Sequence, residues 1–219
     1  MRTACVAAVF LFIAGFVFAE DAKPVGVAPE EAKEGFVSLF DGKTLDGWQG
    51  AVKGYTVENG AMVCKPGGNL YTAKQYANFI LRFEFAVPPG GNNGVGIRTP
   101  MNVNAAYHGM EIQVLDNDHE SYKNLQPYQY HGSIYGVVPA KRGFLKPAGE
   151  WNTEEIVADG SHIKVTLNGT VITDADISKI DKTMDHQGHP GLHNAKGYIG
   201  WLGHGAPVAY RNVRIKELP

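Results

Sequence analysis

The segment Met110-Glu111-Ile112-Gln113-Val114-Leu115-Asp116 sets a carboxylate and an amide two residues apart. In an extended chain successive side chains alternate between faces, so Glu111 and Gln113 share one face and Ile112 and Val114 the other. Such a pair over an apolar backing is either the floor of a cleft above a core or a solvent-facing stripe on an ordinary strand. Asp116 joins their face only if a bulge shifts the register near Leu115. Gly94-Val95-Gly96-Ile97-Arg98 reads as a second short strand ending in an arginine, and Tyr128 to Gly136 as a third, rich in aromatics and carrying His131. Arg98 is a candidate stabiliser of developing charge or one half of a structural ion pair. His131 is a candidate acid or base, or a hydrogen-bonded core histidine. Glycines let a ligand approach the backbone closely, and tyrosines offer flat apolar faces with a polar tip. The mixture suits a pyranose ring, with its apolar faces and hydroxyl rim, and it marks Tyr107 and Tyr135 as possible substrate contacts.

Other chemistries have less support. His186, His189 and His193 sit close together, and imidazole is a common metal ligand. Their Gly/Pro-rich surroundings do not aim two rings at one ion, so a solvated loop is the plainer reading, and the sequence assigns no cofactor. His204, between Gly203 and Gly205, is the better candidate for the rim of a cleft. No Gly-rich phosphate loop, nucleophile elbow or CxxC pair is present. Trp48, Trp151 and Trp201 are able to stack on sugar, although scattered tryptophans more often pack in cores and rims.

The elements that must hold these residues are strands. Asn59-Gly60 separates two short apolar runs, the strongest short hairpin signal. Phe79, Leu81, Phe83, Phe85 and Val87 alternate with Ile80, Arg82, Glu84 and Ala86, the pattern of a half-buried strand. Asp159-Gly160 and Asn168-Gly169 divide the stretch from Glu155 to Thr173 into a meander. Tyr198 to Leu202 and Val208 to Leu218, separated by Gly203 to Pro207, repeat the habit. No segment of ten or more residues shows a convincing helical period. The pattern predicts an all-β fold, a two-sheet antiparallel jelly-roll sandwich.

Arg2 precedes an apolar run from Ala4 to Phe18 that closes on Val17-Phe18-Ala19, which predicts a signal peptide over 1–19 and a secreted or periplasmic protein. Residues 20–35, rich in Ala, Pro, Glu and Lys, read as a linker, and 36–219 as one domain. The net charge of −2 gives no electrostatic reason to bind nucleic acid, or a membrane once the leader is removed. After cleavage Cys64 has no partner within the chain, so the core must hold by burial, with Cys64 a small buried hydrophobe.

Gly35 to Trp48, with Phe40-Asp41-Gly42-Lys43-Thr44-Leu45-Asp46-Gly47-Trp48 at its heart, resembles the opening of the 3-keto-disaccharide hydrolase domain family. The likeness continues through Asn93 to Arg98, Glu111 to Asp116 and Lys146 to Asn152, and closes with Gly203-His204-Gly205 and Tyr210 to Leu218. The family is similar to concanavalin-like and laminarinase-like jelly rolls, which implies the same fold. The laminarinase-like enzymes carry Glu-x-Asp-x-x-Glu where this chain has Glu111-x-Gln113-x-x-Asp116. Retaining hydrolysis needs two carboxyl groups about 5–5.5 Å apart, and Gln113 cannot ionise, which speaks against an ordinary endo-glycosidase. The resemblance implies action on a glycoside already oxidised to a ketone at C3. That ketone acidifies C2–H, so the aglycone can leave by elimination and water then adds back. On this reading Glu111 or His131 is the base, Arg98 with Gln113 stabilises the enolate, and the other of Glu111 and His131 assists the leaving oxygen. His204, Tyr107, Tyr135 and Asp116 contact substrate. A non-catalytic carbohydrate-binding module, with a tryptophan supplying the affinity, is the alternative.

Overall fold

The computed structural model describes residues 26–65 and 67–219; the predicted signal peptide and the first residues of the linker lie outside the described residues. The described residues form thirteen strands: β1 (Val37–Ser38), β2 (Trp48–Gly50), β3 (Tyr55–Glu58), β4 (Ala61–Cys64), β5 (Leu70–Thr72), β6 (Phe79–Ala86), β7 (Asn92–Thr99), β8 (Met110–Leu115), β9 (Trp151–Asp159), β10 (His162–Leu167), β11 (Thr170–Asp176), β12 (Tyr198–Leu202) and β13 (Ala209–Glu217). Two short helices join them, α1 (Pro29–Lys33) and α2 (Ala105–His108). The larger sheet runs β11-β10-β9-β6-β13-β4-β3 with β1 on β13, and the smaller runs β2-β5-β12-β7-β8. The described strand pairs are antiparallel, and the two sheets stack as a jelly-roll sandwich.

Local sequence explains the turns. Asn59 (φ 50°) and Gly60 (φ 75°) both take the left-handed conformation that matches a tight hairpin to strand twist, as do Asn168 (φ 48°) and Gly169 (φ 85°). Period two then sorts the side chains. Phe79, Leu81, Phe83 and Phe85 of β6 point inward, against Val95 and Ile97 of β7, Met110, Ile112 and Val114 of β8, and Ile199 and Trp201 of β12. Trp201 stacks on Tyr210 at 4.2 Å and on Trp48 at 5.8 Å. Burying a side chain of this kind contributes roughly 1.5–3 kcal/mol. Cys64 is a free, buried thiol among them, so burial in place of a disulfide carries the core.

Three expectations are corrected. The stretch Tyr128 to Gly136 is a single helical turn and a loop, because Gly132 (φ 79°) and Gly136 (φ 75°) bend it out of an extended path. It still lies along β8, with Tyr135 N–H donating to the Glu111 carbonyl at 2.9 Å and Gly132 N–H to that of Gln113 at 2.8 Å. β12 and β13 are not a hairpin: the corner Gly203 to Pro207 carries the chain from one sheet to the other. Part of the segment read as a linker is α1, whose Glu31 accepts from Arg214 Nε at 2.6 Å and Arg82 Nη1 at 3.0 Å on the outside of the larger sheet. Among the described residues no helix is long and apolar enough to cross a membrane.

Candidate active site

β7 and β8 pair without a register shift, from Asn92 opposite Leu115 to Ile97 opposite Met110. Glu111 and Gln113 therefore share the outer face of the smaller sheet with Gly94 and Gly96, while Ile112 and Val114 enter the core. The solvent-facing stripe is excluded, since Glu111 and Gln113 are both buried. The Glu111 carboxylate lies across Gly94, where a Cβ would overlap Oε1, so the strand admits that carboxylate only because position 94 is glycine. α2 packs over Gly96, with its Ala105 methyl against that glycine.

Glu111 is enclosed, its side chain 8% exposed, and His204 reaches it from the inter-sheet corner with Nε2 3.3 Å from Oε1. The hydrogen bond to Glu111 raises the pKa of His204 above the usual histidine value, against the opposing effect of burial. The Gln113 amide, oriented by its hydrogen-bond network, donates to the same Glu111 oxygen at 3.2 Å and to the Asn93 carbonyl at 3.3 Å. In this orientation the amide lies against the carboxylate and supports it.

Three half-exposed tyrosines lie on segments beside β8, and Tyr107 is within range of the Glu111 charge. Tyr107 comes from α2, and Tyr128 and Tyr135 meet edge to face at 6.0 Å. Gln129 Nε2 donates to the Tyr135 hydroxyl at 3.0 Å, which leaves the hydroxyl's own hydrogen free to donate. Burial, and then the negative charges of Asp185 and Glu111 among others, push Tyr107 upward, so it too is a neutral donor. Beside Tyr107, with ring centroids 4.8 Å apart, is His189, which pairs with Asp185. Sequence reasoning missed Tyr128, Asp185 and this use of His189. The aromatic density around residue 128 was visible, but the pairing depends on how a Gly/Pro loop folds back.

Three predicted site residues lie elsewhere. Arg98 is buried and donates to the carbonyls of Ala77 at 2.8 Å and Gly160 at 2.6 Å and to Asn78 Oδ1 at 3.0 Å. It clasps the ends of the two sheets and does not face Glu111. Its own backbone is left-handed (φ 48°), which turns the side chain off the strand's alternation. His131 is inside the sandwich, 1% exposed, stacked on Phe85 at 5.0 Å with Nε2 2.9 Å from Glu154 Oε2. Asp116 follows the end of β8 and accepts from Gly90 N–H at 2.9 Å, since no bulge returns it to the Glu111 face. Trp48 and Trp201 are core residues, and Trp151 lies under the Arg211 guanidinium at 3.9 Å, so the tryptophans a binding module would use are engaged in packing. Among the described residues no group of three or more His, Cys, Asp or Glu is arranged to hold a metal ion, and the histidine series does not converge.

Comparison with known proteins gives this arrangement a context. Residues 35–216 match the family described as the 3-keto-alpha-glucoside-1,2-lyase-like domain. A 3-keto-disaccharide hydrolase of Bacteroides thetaiotaomicron is 28% identical over 233 residues, 84% of this chain and 79% of its own. A solved structure from Parabacteroides distasonis ATCC 8503, described provisionally as a glycosyl hydrolase, matches with a TM-score of 0.75 and 29% identity over 84% of this chain and 99% of that one. A second from the same organism gives 0.74 and 25% over 88% and 98%. Fold and relatives together define a carbohydrate-acting enzyme of the glycoside hydrolase type. The chain belongs to the 3-keto-alpha-glucoside-1,2-lyase-like domain family.

Proposed function

We propose that the protein cleaves glycosides bearing a ketone at C3, by elimination across C1–C2 followed by hydration, and that it does so outside the cytoplasm. One observation carries the reading: Glu111 and His204 form an acid–base pair 3.3 Å apart over a glycine floor, while Asp116, the acid that double displacement would recruit from the same strand, is committed to Gly90. Glu111, held by Gln113, takes the C2 proton. The C–H electron pair moves into C2–C3 and the charge settles on the C3 oxygen, to which the Tyr135 or Tyr107 hydroxyl donates. Collapse of the enolate forms C1=C2 and expels the aglycone oxygen, which takes a proton from the His204 imidazolium. Water then adds its hydroxyl at C1 and its proton at C2, regenerating the reducing 3-keto sugar. The lyase description of the family and the keto-sugar relative support this chemistry.

The test is incubation of the purified protein with an aryl 3-keto-glucoside beside its unoxidised parent. Release of the aglycone from the keto compound alone, with the C2 hydrogen exchanging into deuterated solvent, is expected. Equal release from the parent, or release without C2 exchange, would exclude the elimination route.

A further inference from the structure

The mechanism uses neither His189 nor Asp185, yet this pair occupies the point where three segments of the site meet. Both side chains are nearly sealed from solvent, 1% and 7% exposed. His189 Nε2 lies 3.0 Å from Asp185 Oδ2 and 3.2 Å from Oδ1. On the other side of the ring Nδ1 lies 2.9 Å from the Ala106 carbonyl in α2. A carbonyl only accepts, so Nδ1 carries a hydrogen and donates it to α2. Burial presses the Asp185 carboxyl upward, but the Gln187 N–H and the His189 ring outweigh it, so the group sits below the usual carboxylate range and is an anion.

The same loop is stitched to both tyrosine-bearing segments. Gly191 N–H donates to the Tyr107 carbonyl at 2.9 Å, and Asn194 Nδ2 to the His108 carbonyl at 2.8 Å. Met184 and Asp185 N–H groups both donate to the carbonyl of Gly136, the residue after Tyr135, at 2.7 and 3.1 Å. A Cβ at Gly136 would stand 2.5 Å from Asp185 Oδ2 and 2.8 Å from His189 Nε2, so the backbone beside Tyr135 is pressed directly against the pair. α2 is a single turn, Ala105–His108, and too short to hold itself in place.

We propose that His189 and Asp185 are positioning residues: they lock α2 and the 128–136 loop into one rigid wall, so that Tyr107 and Tyr135 stand preorganised beside Glu111 and set the enzyme's affinity for its sugar. The affinity half rests on the reading of Glu111 as the reaction centre; the lock itself rests on geometry alone. Side chains that must be ordered at the moment of binding cost affinity, and a wall fixed in advance avoids that cost.

Two readouts test this in His189→Ala, Asp185→Ala and Asp185→Asn. Amide hydrogen exchange is expected to quicken at 105–109 and 134–138 in both alanine variants, with β6 and β9 unchanged. On a 3-keto-glucoside KM is expected to rise roughly tenfold and kcat to fall with it, since the tyrosines that hold the sugar also donate to the C3 oxygen. Asp185→Asn is expected to restore both, because an amide N–H can donate to Nε2 while Nδ1 still donates to Ala106. Unchanged exchange at the two segments, quickening over both sheets alike, or local quickening with unchanged KM would overturn the proposal. A wild-type enzyme inert on the keto sugar would refute the functional reading instead, and exchange would still decide whether the lock exists.

Discussion

The His204–Glu111 contact makes a statement about pH. The Glu111 hydrogen bond and charge hold the proton on His204 to a higher pH than on a free histidine, more than burial removes it. A group whose pKa is raised on folding contributes stability that is full below its unfolded value, about 6.5, and lost as pH rises through the folded one. Leaving-group assistance by the imidazolium follows the same window. The kcat/KM profile on a 3-keto-glucoside should therefore fall on its alkaline side with a midpoint above 6.5. In His204→Gln that limb should vanish and the rate drop on the order of 10²–10⁴-fold, the usual worth of a positioned acid. An alkaline limb that survives the substitution would give the titration to another group and remove His204 from the acid role. That Glu111 and Gln113 share a face, and that His204 sits at a glycine-flanked corner, was legible because strand alternation and flanking glycines are local signals. Arg98 and His131 were read as chemistry because local sequence reports residue type but not partner. Their partners, Gly160 and Glu154, are supplied by a different sheet through long-range pairing.

At the scale of the element, the pairing of β7 with β8 makes the site. A carboxylate on β8 can lie down over β7 only where β7 lacks a side chain, and Gly94 provides that gap. Gly94→Ala should therefore act on function before stability. The added methyl overlaps the Glu111 side chain from Cγ to Oε1, so that side chain must rotate aside and the base leaves its place while the backbone pairing can persist. Displacement by about 1 Å can cost on the order of 10²-fold in rate, and kcat/KM should fall by that order while the thermal midpoint moves by no more than a few degrees. Near-native turnover in Gly94→Ala would show that the carboxylate does not act from its position over β7. The strands themselves were largely legible, since β6, β7, β8, β10 and β12 follow period two and turn chemistry. What local pattern could not give was the allocation of strands to sheets: β12 and β13 read as a hairpin, yet a Gly/Pro corner sends them to opposite layers, and that division is what brings His204 over Glu111.

For the whole molecule, the question is how two sheets without a described disulfide keep the register that the site needs. Arg98 is the clearest answer. It belongs to β7 of the smaller sheet, and its guanidinium donates to Ala77 and Asn78 before β6 and to Gly160 at the β9–β10 turn, all at one end of the larger sheet. Burial pulls its pKa below the ordinary arginine value, with the charge of Asp159 opposing, so the group is held by neutral acceptors more than by an ion pair. Loss of hydrogen bonds from a charged donor, with the acceptors left behind, costs about 1.5–3 kcal/mol for a single bond. Arg98→Ala should accordingly lower unfolding stability by roughly 2–4 kcal/mol, allowing for water reaching the exposed carbonyls. Arg98→Lys should recover little of it, since one ammonium cannot span three acceptors laid out for a planar fork. The kcat of the folded fraction at low temperature should stay within a few-fold of wild type in both. Were Arg98 instead the stabiliser of an enolate, the order would reverse: kcat would collapse by about 10²–10³-fold with the melting temperature nearly unchanged. Denaturant titration beside single-temperature kinetics separates the two, because a clasp between layers is read in the free energy of unfolding and a charge stabiliser in the turnover of protein that is already folded.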